Sequence, residues 1–62
     1  MTMRVVSLNY RNGQRVCAPI FVSLEGRNYD PTDIEFEEEA VRFAMRDGLV
    51  RNRSDVIAVV AT

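Results

Sequence analysis

The chain contains no histidine and no lysine, and it has one cysteine, Cys17. A lone thiol cannot form an internal disulfide. Without histidine, a zinc site would have to be built almost wholly from carboxylates, a poor ligand set for structural zinc. No imidazole is present to activate Ser7, Ser23, Ser54 or Cys17 as a nucleophile. The three glycines, Gly13, Gly26 and Gly48, do not form a phosphate-cradling motif. Tyr29, Asp30 and Asp33 could suggest a paired-carboxylate site, but helix capping accounts for residues of these types at these positions. The expectation is a protein that is not an enzyme, with no cofactor and no metal. No run approaches the ~18 apolar residues of a membrane span. The start Met1-Thr2-Met3-Arg4 lacks the pattern of a secretion signal. A cytoplasmic protein with no membrane partner is expected.

What is present is a short chain with enough apolar content to fold. Sixty-two residues, 47% of them hydrophobic, make a single domain over residues 1–62. A domain of this size buries only ~60% of the surface its unfolded chain exposes, and such a core rarely supplies more than ~3–5 kcal/mol. With disulfides and metals set aside, self-association or a partner is the remaining support, so a homodimer is one expectation. The net charge of −1 offers no global attraction for nucleic acid, and direct nucleic-acid binding is not expected. All eight basic residues are arginine, whose planar guanidinium suits bidentate contacts with carboxylate or phosphate.

Residues 3–10 and 15–24 are rich in β-branched and aromatic types, and Arg11-Asn12-Gly13-Gln14 between them carries the Asn-Gly hairpin signal. A two-residue loop would make both faces of the hairpin apolar. A three-residue loop, Arg11 to Gly13 with Gly13 left-handed, pairs Leu8 with Val16 and Val6 with Ala18. It gathers Val6, Leu8, Tyr10, Val16, Ala18, Ile20, Val22 and Leu24 on one face and sends Arg15, Cys17, Pro19 and Ser23 to the other. One buried and one wet face favours the three-residue loop. Pro19 cannot donate to a ladder, so the second strand has an edge or a bulge there.

The loop at residues 25–33 runs into a helix start, capped by Asp30 ahead of Pro31 or by Thr32 with Glu35 three residues on. The helix is expected to reach about Asp47 and stop at Gly48. Its wheel shows two apolar seams, Ile34-Val41-Met45 continuing to Leu49, and Phe36-Ala40-Phe43-Ala44. One helix on one small sheet needs a single stripe, which leaves the second seam either to widen the core or to meet a partner. Residues 54–62, dense in Val and Ile, read as a strand, with 56–60 paired to 4–8. The fold class is therefore α+β: a β-hairpin, one α-helix and a third strand (ββαβ), the helix packed on a three-stranded antiparallel sheet.

Six carboxylates fall between Asp30 and Glu39. The candidate protein-binding residues are Asp30, Asp33, Glu35, Glu37, Glu38 and Glu39, with Phe36 and Phe43 as apolar anchors. They predict docking on a basic surface of a larger protein or nucleoprotein complex, with rate and selectivity gained from complementary charge. In size, acidity and missing chemistry the chain is similar to phage-encoded inhibitors such as anti-CRISPR proteins or inhibitors of host polymerase, an analogy that rests on no motif. A second reading comes from Asp47-Gly48-Leu49-Val50-Arg51-Asn52-Arg53-Ser54-Asp55-Val56-Ile57. This run resembles the turn and second-helix start of ribbon-helix-helix repressors. The resemblance implies a dimeric DNA-binding regulator or antitoxin, whose paired ribbon strands read the major groove.

Overall fold

The computed structural model describes residues 2–26 and 28–61. In chain order the elements are β1 (Thr2–Tyr10), β2 (Ile20–Leu24), α1 (Asp33–Arg46), a single 3₁₀ turn (Arg53–Asp55) and β3 (Val56–Val60). β1 lies at the centre of an antiparallel sheet ordered β2-β1-β3, and α1 packs across one face against all three strands. This is the ββαβ domain that the patterning implies. The expected end of the last strand, at Thr62, lies outside the described residues.

The hairpin turns through a three-residue loop. The Tyr10 amide donates to the Gln14 carbonyl at 2.7 Å, and the Gly13 amide donates to the Tyr10 carbonyl at 2.9 Å. Gly13 sits at φ 94°, a region that costs a residue with a Cβ dearly, and the Asn12 side chain accepts from the Gln14 amide at 2.9 Å. Next to the loop, Leu8 faces Val16 as expected, its carbonyl accepting from the Val16 amide at 3.0 Å. Beyond that point the expected register fails. Val6 lies opposite Ile20 rather than Ala18, and Ala18 is exposed. The expected strand at 15–24 is reduced to a bridge between Asn9 and Arg15, followed by β2 from Ile20. Pro19 has no amide proton for the ladder, and the chain bows outward there, adding two residues to one side of the hairpin. An insertion of two leaves the period-two parity intact, so Ile20, Val22 and Leu24 still face inward.

Helix α1 begins with a capping box at Thr32, the second of the two caps considered. The Glu35 amide donates to Thr32 Oγ1 at 3.4 Å, and the Thr32 amide donates to Glu35 Oε2 at 2.9 Å. The helix ends with the Gly48 amide on the Met45 carbonyl (3.1 Å) and the Leu49 amide on the Ala44 carbonyl (2.9 Å), with Gly48 at φ 77°. The Tyr10 hydroxyl then donates to the Leu49 carbonyl at 3.0 Å, fixing the helix exit to the end of β1.

The core joins Val6 and Leu8 of β1, Val22 and Leu24 of β2 and Val56 of β3 to Phe36, Ala40, Val41 and Ala44 of α1. The buried stripe therefore takes residues from both apolar seams. Ile34, Phe43, Met45 and Leu49 stay outside it. Phe36, proposed as a contact for a partner, is wholly buried at 1% exposure, while Phe43 is about half exposed. Helix spacing explains the difference: Phe36, Ala40 and Ala44 follow one another at four-residue steps toward the sheet, and Phe43 falls at the rim of that stripe.

The last segment settles as a strand. Val56 to Val60 pair with β1, Val6 opposite Val60 and Tyr10 opposite Val56, two residues further along than the 4–8 pairing expected. The 3₁₀ turn sets this level, with Arg11 Nε donating to the Ser54 carbonyl beside the hairpin loop. A ribbon-helix-helix protein would enter its second helix here. Four of the five residues from Val56 to Val60 are β-branched, stiff in a helix and well fitted to a pleat, and no second α-helix exists among the described residues.

Replacement of Phe36 by Ala should remove ~3–5 kcal/mol, which is about all that a core of this size supplies. The variant should be largely unfolded at 25 °C by circular dichroism. Phe43→Ser should stay within about 1 kcal/mol of the parent in a urea titration. Equal losses from the two changes would contradict the placement of these side chains.

Candidate functional site

The acidic segment occupies the first two turns of α1 and the loop before it, and the structure gives its members different work. Glu35 closes the capping box with one carboxylate oxygen and accepts from the Tyr29 hydroxyl with the other, at 2.8 Å. Glu38 meets Arg53, whose Nη2 and Nε lie 2.9 and 3.0 Å from Oε1. The same guanidinium donates through Nη1 to the Val56 carbonyl at 3.3 Å, so Arg53 ties α1 to the start of β3. Glu39 pairs with Arg42 one turn on, at 3.2 Å. Glu37, half-buried, is near enough to Arg53 to help hold its proton.

Asp30 and Asp33 are exposed and meet no arginine among the described residues. Asp33 lies in the first helical turn, where the helix dipole favours negative charge. Of the eight candidate residues, the structure thus keeps Asp30, Asp33 and Glu37 as carboxylates in no ion pair among the described residues. Glu35, Glu38 and Glu39 have local structural partners, Phe36 belongs to the core, and Phe43 stands at the helix edge beside β2.

The Arg53 hydrogen bond, opposed by partial desolvation and aided by the nearby Arg53 and Arg42 charges, holds the Glu38 carboxyl below its usual range. The same bond raises Arg53.

A second surface was not found by sequence reasoning. On the sheet face away from α1 stand Met3 (54% exposed) and Val5 of β1, Phe21 (69%) of β2, and Ile57 (45%) and Val59 (52%) of β3. Val5 lies opposite Phe21, Ser7 opposite Val59 and Asn9 opposite Ile57. Ser7, Asn9 and Ser23 are its polar members, and no carboxylate stands on it among the strand residues. The expected wet face is therefore largely apolar. The signal was present in the opposite parity of the same strands, where Met3, Val5, Phe21, Ile57 and Val59 alternate with the core residues.

A third feature is a shallow apolar groove between the Cys17–Phe21 segment and the end of α1, with Phe43 and Leu49 on its helix side. Cys17 is half-buried against the core margin and carries a free thiol. Among the described residues, no three His, Cys, Asp or Glu side chains stand where they could hold a metal ion. No helix there is long and apolar enough to cross a membrane. The chain matches no protein-family model, no curated protein and no solved structure.

The Glu38–Arg53 bond makes a prediction about pH. A carboxyl whose folded pKa is depressed contributes stability that is present above its unfolded pKa and lost as pH falls through the folded value. Both side chains are nearly half exposed, so the contribution is screened and stays under ~1 kcal/mol. Glu38→Gln should therefore be slightly less stable than the parent at pH 7, and the gap should close at an acid pH below the usual carboxylate range, where the parent's carboxyl takes up its own proton. Urea titrations of both proteins at the two pH values would measure it. A gap that is unchanged or wider in acid would contradict the assignment.

Proposed function

We propose that this chain is a non-catalytic protein-binding module that acts in the cytoplasm by covering a basic surface on a larger protein or nucleoprotein complex. The observation that carries this reading is the segregation of charge. Six of nine carboxylates lie within residues 30–39 and none of the eight arginines does, although the whole chain is nearly neutral. Such an arrangement orients an incoming basic partner and speeds its approach, even where it adds little to affinity.

Asp30, Asp33 and Glu37 are the contact residues best fitted to this role, because no ion pair among the described residues neutralises them. Phe43 shares a helix face with Glu39, one turn away, and offers an exposed apolar contact on the flank beside β2. The small core and the lack of an activated nucleophile accord with occlusion rather than turnover. The comparison with phage-encoded inhibitors, anti-CRISPR proteins and host polymerase inhibitors among them, supports the reading by analogy. Against the DNA-binding alternative stands the run that resembles a repressor's turn and second-helix start, which here is a loop, a 3₁₀ turn and the first two residues of an edge strand.

The test is capture from a cell lysate by the parent chain and by a variant carrying Asp30→Asn, Asp33→Asn and Glu37→Gln. The variant should fold within about 1 kcal/mol of the parent, since Asp30 and Asp33 are exposed and glutamine keeps the shape of the half-buried Glu37. The partner held by the parent should be lost or dissociate at lower salt with the variant. Retention of the same partner with the same salt dependence would overturn the acidic surface as the contact. Sequence-specific binding of the parent to duplex DNA would overturn the reading altogether.

A further inference from the structure

We propose that the open face of the sheet is a self-association surface, on which a second copy of the chain packs face to face to give a four-layer α-β-β-α dimer. The inference rests on other residues than the acidic contact proposed above.

The first argument is the chemistry of the face. An antiparallel sheet with one solvated side ordinarily alternates apolar inward and polar outward. Here Met3, Phe21, Ile57 and Val59 point outward, each between 45% and 69% exposed, and each strand contributes at least one. They account for four of the nine large exposed hydrophobic residues. They form one patch because pairing places Val5 beside Phe21 and puts Val59 and Ile57 beside Ser7 and Asn9.

The second argument is charge, and it selects a second copy as the occupant. An interface built on a two-fold axis brings one patch against its own image, so a patch carrying one sign of charge repels itself. The helix side would set six carboxylates against six. The strand residues of the open face carry no carboxylate, and Arg15 stands beside Asn9 at the bridge next to the hairpin loop. A face that is apolar and almost uncharged tolerates its own image.

The third argument is area. The molecule exposes 4463 Å², against ~4,100 Å² for a typical monomer of 7.1 kDa, so it leaves roughly a tenth more surface in water than its mass requires. β1 runs for about 30 Å, but β2 lies beside its first half only and β3 beside its second, so strands ~4.8 Å apart present roughly 300 Å² in projection. Side chains standing off the pleat raise this to about 400–450 Å² of accessible area per copy. Two such faces bury ~800–900 Å², which places the contact among weak, transient associations. Ser7 and Asn9 add a desolvation cost. The dimer should therefore be reversible, with a dissociation constant of tens of micromolar or weaker.

The sheets would lie ~10 Å apart with strands roughly aligned. In this geometry the outer edges of β2 and β3 remain open. Alternation along β1 and β3, with the Ala61 amide on the Val5 carbonyl at 2.8 Å, turns the amides of Ala58 and Val60 toward solvent. Edge-to-edge pairing would cover those amides, whereas face-to-face packing leaves them exchanging.

Sedimentation equilibrium of the parent between about 5 µM and 1 mM is the test, beside the separate variants Phe21→Glu and Ile57→Glu. Both positions are exposed and on different strands, so at least one variant should keep the parent's circular dichroism. The parent should pass from monomer to dimer across the range, and a folded variant should associate at least tenfold more weakly. Hydrogen exchange at 1 mM should leave Ala58 and Val60 unprotected. A parent that stays monomeric at 1 mM, a dimer unaffected by a folded variant, an open-ended polymer, or new protection at Ala58 and Val60 would each overturn the proposal.

Discussion

The contact between Phe36 and the inner face of the sheet organises the rest of the molecule. Of five aromatic side chains it alone is wholly withdrawn from water. Ala40 and Ala44 follow it along the stripe, small enough to let the helix lie close to the strands. Val41 seals one flank, and Val6, Leu8, Val22 and Val56 supply the floor. Arg4 adds a cationic cover, its guanidinium 5.9 Å from the ring centre. One helix can cover only one face of a three-stranded sheet. Once Phe36 has chosen that face, the opposite one must be polar, be met by something else, or stay exposed and apolar. The chain takes the third course, and the proposed dimer follows from that constraint.

The acidic run is better understood as two populations. Glu35, Glu38 and Glu39 each make a bond that a helix start or helix surface ordinarily uses: a cap, a strut to the next strand and a one-turn ion pair. Arg53 is the least obvious of these partners, because it is fifteen residues from Glu38 and reaches it only after the chain has turned back toward β3. Its second bond, to the Val56 carbonyl, also blunts one end of an edge strand that carries no charge of its own. Asp30, Asp33 and Glu37 make no ion pair among the described residues, which is why the proposed contact rests on them rather than on the whole run.

The fold was legible in the sequence because several local signals agreed. Asn12-Gly13 gave the hairpin, Asp30-Pro31 or Thr32 with Glu35 the helix start and Gly48 its end, and the β-branched run at 56–60 favoured a strand over a second helix. What was not legible was registry. Pro19 announced a disturbance in the second strand, but not that it would loop out two residues and leave Ala18 in solvent. Nor could the pairing of β3 with β1 be fixed without the 3₁₀ turn and the Arg11 bond to Ser54, which depend on the chain already being folded. Both displacements were by two residues. Period-two patterning cannot detect such a shift, because every side chain keeps its face.

The same limit explains why the open face was missed. In the sequence, the hairpin register follows from one apolar and one wet face, with Arg15 and Ser23 on the wet one. That criterion ranks alternatives but does not require the losing face to be polar. Met3 and Val5, Phe21, and Ile57 and Val59 sit at odd positions on three strands that are distant in sequence, and none forms a notable run alone. They become a patch only when β1 stands between β2 and β3. On a helical wheel the surplus hydrophobicity falls on α1, as a second seam through Phe36 and Phe43. In the folded chain Phe36 is consumed by the core and Phe43 is left at an edge, so the larger contiguous surplus lies on the sheet. An isolated exposed aromatic needs no explanation in a small protein, but apolar residues gathered from all three strands on one face are the grounds for the association surface proposed above.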